Sequence, residues 1–428
     1  MKVTGIIAEY NPFHNGHAYH LKEARERLKA DYVVVVMSGN FVQRGAPTII
    51  DKYSRAEMAL KSGADLVLEL PVLYATASAE YFAFGGVNIL DRLGVVEKLC
   101  FGTETLDEIF SDDDPSNDKG ASIDLTESFS KIADVILQES DEYKEILQAS
   151  LKSGHSHAAA VSEAVGAILG DRYVKIMETS NNILGVEYLK AIKRLNSSIR
   201  PAPIARMLTE HNDTRLSDGF ASATAIRNAI YNKYDMNALS TMVPEEAFDI
   251  LMDKYLVTFP VYRDDFSAIL GEKILSADSP SELTDYFGIS PDLANRFMNL
   301  RNSFSSFTQF REAAYTKNLN KATVGRALMH IVLGIKNQYA EGLLEREKIN
   351  AVKVLGFREE AKPLLTEIKN KGSIKLVTSL ADYKCDDFAD PINLTTKADL
   401  LYRMICMNKY NVNIKTPYEA ELIIPGGA

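Results

Sequence analysis

The sequence predicts an α/β protein: a doubly wound parallel sheet over residues 1–235, then a mainly α-helical region with a small α/β piece over 236–428. Three observations predict it. Short apolar runs rich in β-branched residues recur through the first half, as buried parallel strands require. Stretches with apolar residues at helical spacing separate those runs. Beyond about residue 240 the helical spacing continues almost alone.

The first run, Val3 to Ala8, is broken by Asn11-Pro12, because proline has no N–H for a sheet and turns the residue before it away from helix. Helical spacing starts at Gly16, with Ala18, Leu21, Ala24, Arg25 and Leu28. A strand, a tight loop carrying His14 and His17, and a helix N-terminus therefore meet at one point. The unpaired N–H groups and partial positive charge of a helix start suit a phosphate, and Gly16 lets the backbone come close to it. Two imidazoles three residues apart can donate to oxygens of one phosphate and stabilise charge as it builds in a transition state. The plainer role for both histidines is to cap the helix.

Tyr32 to Met37 is a second buried strand, ending at Ser38-Gly39-Asn40, and Phe41 to Pro47 reads as a loop. Asp51 to Ser62 reads as a helix, Asp65 to Leu70 as a third strand stopped by Pro71, and 74–92 as mostly helix. A fourth strand, Lys98 to Phe101, runs into Gly102-Thr103-Glu104. Ligands of such sheets sit beyond the C-terminal strand ends, where His14, Ser38, Arg44 and Gly102 would lie. Glu9, beside the first loop, is either a core-facing partner or a site residue.

Residues 104–127 carry nine acidic residues and one lysine, so 105–124 reads as an acidic surface loop that would repel phosphate. Helices are expected from 125 to 168, with Gly154-His-Ser-His157 as a helix-initiating turn rather than a metal site. Asn181 and Asn182 fall at the start of a further helix, which Ser or Asn would cap, and Pro203 to Leu208 is a further strand containing Arg206. The next helix begins near Ser222 and Thr224. These can cap it and bond a phosphate, while Arg227, one turn on, can neutralise phosphate charge.

In the second half, Thr323 to Leu333 is the clearest of several amphipathic helices, and Val352 to Gly356 is a short strand with which Lys375 to Val377 can pair. Residues 286–380 hold fifteen Lys and Arg against eight Asp and Glu. That basic stretch is the candidate for RNA backbone contact through Lys317, Lys321, Arg326 and Lys336, unless these simply form a solvated face. Phe304, Phe307 and Phe310 nearby suit the core better than base stacking.

The net charge of −10 argues against a protein that coats nucleic acid indiscriminately. No run approaches the ~20 apolar residues of a membrane span, and no secretion signal opens the chain. Cys100, Cys385 and Cys406 are too scattered for a disulfide framework or a zinc site. The expectation is a cytoplasmic protein with no membrane contact, no protein partner inferred and no metal ligands of its own.

The stretch His14-Asn-Gly-His17 resembles the H-x-G-H signature of the HIGH-type nucleotidyltransferase superfamily, which binds ATP and attacks its α-phosphate. Glu9–His17, Met37–Gly45, Asn181–Gly185 and Ala221–Arg227, in that order, resemble the bacterial tRNA(Met) cytidine acetate ligase family. The resemblance continues through Thr323–Arg326 and Val354–Phe357, and so covers essentially the whole chain. It implies a nucleotidyltransferase-type sheet and synthesis of N4-acetylcytidine at the wobble position of elongator tRNA(Met). Acetate and ATP would react through an acetyl-adenylate, releasing AMP and pyrophosphate, with Mg²⁺ accompanying the ATP. The implied ATP site comprises Ile7, Asn11, Pro12, His14, Gly16, His17, His20, Gly102, an asparagine of the 181–182 pair, and Arg206. The family usually reads Tyr-His-Asp after the Arg206 strand, whereas this chain reads Glu210-His-Asn-Asp213, so His211 receives no role.

Read with that chemistry, His14, His17 and Arg227 are the candidate catalytic residues, with Ser222 and Thr224 on a phosphate. Arg44 could hold the acetate carboxylate or an RNA phosphate, or form only a surface salt bridge, and Lys52, Tyr53 and Arg55 stand near enough in sequence to share its role. Two other functions fit part of the pattern. An adenylyltransferase for a phosphorylated small molecule would use the same N-terminal motifs but leave the C-terminal half without a task. A non-catalytic RNA-binding protein would not need the paired histidines.

Overall fold

The computed structural model describes residues 1–104, 124–205, 221–316, 318–387 and 389–426. Its main sheet is built from β1 (Val3–Ala8), β2 (Tyr32–Ser38), β5 (Leu66–Leu70), β6 (Val96–Thr103), β7 (Arg200–Ala205), β8 (Ala351–Phe357) and β9 (Lys375–Val377). The spatial order is β7-β6-β1-β2-β5-β8-β9. The first five of these strands in the chain run parallel, β8 pairs antiparallel with β5, and β9 parallel with β8. The small α/β piece expected near the C-terminus is thus the far edge of this same sheet. From β1 the chain winds outward through β2 to β5, then returns to the other side of β1 for β6 and β7. That reversal opens a crevice beyond the C-terminal ends of β1 and β6, the place where such sheets bind ligands.

The continuous apolar run of β2 has a simple cause: both faces are covered. Val33, Val35 and Met37 pack with Leu21 and Ala24 of helix α1 (Asn15–Glu26) and Met58 and Ala59 of helix α2 (Lys52–Lys61). Val34 and Val36 face the opposite cluster, with Phe82, Val87 and Leu90 of helix Ala79–Arg92. Asp51 caps α2, accepting from the backbone N–H groups of Tyr53 and Ser54.

Residues 41–47 are not the plain loop expected. Phe41–Val42 (β3) and Ala46–Pro47 (β4) pair as a short antiparallel hairpin whose turn holds Gly45 at φ +61°. A Cβ on Gly45 would come within 2.1 Å of the Gly325 carbonyl carbon, so helix Lys321–Leu333 packs directly on the turn.

Two buried cations join these pieces. Arg55 donates to the carbonyls of Glu9 (2.7 Å), Ser38 (3.0 Å), Ile50 (3.1 Å) and Gly39, tying together the ends of β1 and β2. Lys52, fully buried, donates to both carboxylate oxygens of Glu69 (2.6 and 2.7 Å) and to Asp399. Asp399 belongs to the 20-residue helix Pro391–Tyr410. Asn40 closes the network, donating to Asp399 (2.9 Å) and accepting from the Lys52 backbone N–H (2.9 Å). Neither Lys52 nor Arg55 can therefore share a ligand-holding role with Arg44, because each is consumed by internal partners.

His330, on helix Lys321–Leu333, is buried between the carbonyl of Phe287 (2.7 Å) and Thr76. Burial outweighs the carbonyl partners and pushes its pKa down to about 4. The unfolded chain binds this proton below about pH 6.5 and the folded one does not. Stability should therefore fall as pH drops from about 6.5 towards 4, by up to ~1.4 kcal/mol per pH unit. Thermal melts across that window should be flatter for His330→Gln than for the wild type.

Candidate active site

β1 leaves the sheet at Ala8, and the chain turns through Tyr10 (φ 50°) and a cis Asn11–Pro12 peptide into α1. Asn11 is held from two sides: its Oδ1 accepts from the Ile49 N–H (2.8 Å) and its carbonyl from Arg227 Nη1 (2.6 Å). Phe13 and Pro12 are buried beneath the turn. Ile7, just before it, packs on Gly86, where a Cβ would meet Ile7 Cδ1 at 2.5 Å.

His14 is the N-cap of α1, its Nδ1 accepting from the Gly16 N–H (3.1 Å), while His17 Nδ1 accepts from the His14 N–H (3.3 Å). The rings stack with centroids 3.7 Å apart. Capping and phosphate binding are thus not rival roles here. A ring nitrogen that accepts a backbone N–H must be the unprotonated one, so the cap sets both neutral imidazoles in the tautomer with hydrogen on Nε2. Each ring then has Nε2–H as its donor, at a helix N-terminus of positive potential.

The other side of the crevice comes from β6. Gly102 is its penultimate residue, and beyond it the Glu104 N–H donates to Asn182 Oδ1 (3.2 Å) and Glu104 Oε1 accepts from Asn181 Nδ2 (2.6 Å). Helix Ser180–Arg194 thereby has its N-terminus tied to the strand end; its N-cap is Thr179, not the Ser or Asn expected, and Thr179 makes no side-chain cap bond. Asn182 Nδ2 and Glu104 Oε2 are buried with no partner among the described residues. A purine or ribose brought to this crevice would give such atoms partners. His20 lies further along α1, its Nε2 3.1 Å from Cys100 Sγ of β6.

Ser222 caps helix Ala223–Tyr231 through the Ala225 N–H (3.1 Å), and Thr224 Oγ1 accepts from Arg227 Nη2 (3.0 Å). Arg227 therefore links this helix start to the Asn11 turn. Burial first, and the nearby Arg44 guanidinium second, lower its pKa to about 10, so it stays charged at neutral pH. Arg44 is exposed at the hairpin turn. Glu9 is a brace for that hairpin, its Oε1 accepting from the Gln43 N–H (2.9 Å).

The structure brings together Ile7, Asn11, Pro12, His14, Gly16, His17, Ser222, Thr224 and Arg227 around the β1 turn, with Gly102, Asn181 and Asn182 across the crevice. Arg206 and Lys317 lie outside the described residues. Lys321 pairs with Glu312 (2.5 Å) and Lys336 with Asp285 (3.7 Å), both at the surface. Arg326 instead turns inward, bonded to Thr323 Oγ1 (3.1 Å) and to the Gln43 carbonyl (3.5 Å). Phe307 and Phe310 are fully buried, and Phe304 packs on Phe310. The 154–157 segment does start a helix, capped by Ser156. Sequence reasoning missed Arg263, which donates to the carbonyls of Gly45 (3.2 Å) and Arg44 (3.3 Å), and gave Glu104 no role. A carboxylate directly after the Gly102 strand end was a usable signal for Glu104; nothing local marks Arg263.

The HIGH Nucleotidyl Transferase family model matches residues 1–416. A tRNA(Met) cytidine acetate ligase of Caldanaerobacter subterraneus subsp. tengcongensis is 40% identical over 386 residues, 90% of each chain. The enzyme of the same name from Clostridium novyi is 34% identical over 422 residues, 97% of this chain and 98% of its own. The chain belongs to the tRNA(Met) cytidine acetate ligase family of HIGH nucleotidyl transferases. Among solved structures, apo Thermotoga maritima TmcAL superposes with a TM-score of 0.88 at 33% identity, covering 99% of both chains. The same protein bound with alpha-thio ATP superposes at 0.85. This chain and Thermotoga maritima TmcAL thus share one fold over nearly their whole length. No helix among the described residues is long and apolar enough to cross a membrane.

Proposed function

We propose that this protein acetylates N4 of the wobble cytidine of elongator tRNA(Met), using acetate and ATP. The observation that carries the proposal is the paired His14 and His17 imidazoles, held by the cap with Nε2–H as donors at the mouth of the β1–α1 turn. In the first step an acetate oxygen bonds to the α-phosphorus of ATP as the bond to the β-phosphate oxygen breaks, giving acetyl-adenylate and pyrophosphate. Acetate is already a nucleophile, so this step needs in-line placement and charge stabilisation rather than a strong base. His14, His17 and the α1 N-terminus stabilise the phosphoryl charge, and Arg227 adds a full positive charge while fixing the Asn11 turn. The Asn181–Asn182–Glu104 cluster suits the nucleoside, and Mg²⁺ accompanies the triphosphate. In the second step the cytidine N4 attacks the acetyl carbonyl carbon, AMP leaves, and one proton departs from the nitrogen. A tRNA substrate supports a cytoplasmic location.

The test is to incubate the protein with ATP, labelled acetate and tRNA(Met). Label in cytidine, with AMP and pyrophosphate formed in equal amount, is the expected result. AMP joined to a phosphorylated small molecule instead would support an adenylyltransferase and overturn the proposal.

A further inference from the structure

Between the crevice and the helical region, five arginines gather about one hairpin turn. Arg263 donates to the carbonyls of Arg44 and Gly45, Arg326 to that of Gln43, and Arg227 to that of Asn11. Arg311 completes the group, lying close enough to raise the potential at Arg263 together with Arg227 and Arg44. Nearby carboxylates offset part of that charge: Glu9 acts on Arg227, Asp264 on Arg263, and Glu312 pairs with Arg311. Guanidiniums this close repel one another, and an anion between them would relieve that repulsion.

Beside this cluster stands an exposed aromatic ring. Tyr231 lies one helical turn after Arg227, on the same helix face, and is 62% exposed. It packs nearly perpendicular to the ring of Tyr262, the neighbour of Arg263, with centroids 5.3 Å apart at 85°. An exposed ring, steadied by a second ring and flanked by guanidiniums, is what single-stranded RNA loops use: bases stack on the ring while arginines take the phosphates. A purely apolar protein partner would not need the arginines.

We propose that Tyr231 stacks a base next to the reacting cytidine, and that Arg44 with Arg263 holds the adjoining phosphate. This rests on the reading of the crevice as a tRNA acetylation site and names its RNA seat. It assigns Arg44 to RNA rather than to acetate.

The test is binding of an anticodon stem–loop RNA of tRNA(Met) to the full-length protein, measured across a salt series. Tyr231→Ala should weaken binding roughly 5- to 100-fold, while Tyr231→Phe keeps it. Arg44→Gln should lower the slope of log K against log salt by about one. Wild-type affinity in Tyr231→Ala together with an unchanged slope in Arg44→Gln would overturn the seat. If the wild type acetylates no tRNA yet Tyr231→Ala still loses stem–loop binding, the seat stands and the acetylation reading falls.

Discussion

Replacing His17 with alanine should lower acetate-dependent pyrophosphate release, measured without tRNA, by ~10²–10³-fold, the usual effect of removing one donor to transition-state charge. Binding of tRNA should stay near the wild-type level, since the RNA seat proposed at Tyr231, Arg44 and Arg263 does not include this ring. The substitution also removes the acceptor for the His14 N–H, which should lower stability by about 0.5–2 kcal/mol. The two effects are separable. A melt shifted by that small amount with adenylation nearly lost marks a catalytic donor. The same shift with adenylation intact would mean that the histidine is only a cap.

Replacing Lys52 with methionine should lower stability by about 3–5 kcal/mol, because Glu69 and Asp399 would be left buried without their common cation. Lys353 stands close by, its own pKa pushed down to about 8 by burial and by the charge of Lys52, and bonded to Tyr53 OH (2.7 Å). It can compensate one carboxylate but not two. Adding Asp399→Asn to Lys52→Met should therefore recover part of the loss, as denaturant unfolding of the single and double variants would show. Equal stability of the two would mean that the carboxylates are not coupled through Lys52. Since Asn40 links this network to the start of the hairpin that carries Arg44, the single variant should also weaken RNA binding.

The parts legible in the sequence are those decided by neighbours in the chain. The β1–turn–α1 unit is announced by a β-branched run, a proline and a glycine within a few residues, and α2 by Asp51 at its cap. The helix Pro391–Tyr410 was not legible, although Asp390-Pro391 is a fair start signal. Its Thr395, Thr396 and Asp399 are buried polar residues, so the apolar stripe is interrupted, and Asp399 finds its partner Lys52 some 350 residues away in the chain. The hairpin at 41–47 has only two residue pairs and owes its shape to Gly45 packed on Gly325, a contact no local pattern records. Strand 351–357 was visible as a strand, but its place beside β5 depends on long-range pairing alone. The same limit hid Arg263, whose role comes from a hairpin more than two hundred residues earlier.

The central claim is that the triphosphate sits on the stacked histidines at the start of α1. A crystal structure with an ATP analogue bridged by carbon between the α- and β-phosphates tests it most directly. The account predicts phosphate oxygens within hydrogen-bond distance of Nε2 on both His14 and His17, with the purine towards Asn182. Phosphates bound elsewhere, with no phosphate oxygen within that distance of either ring, would contradict it.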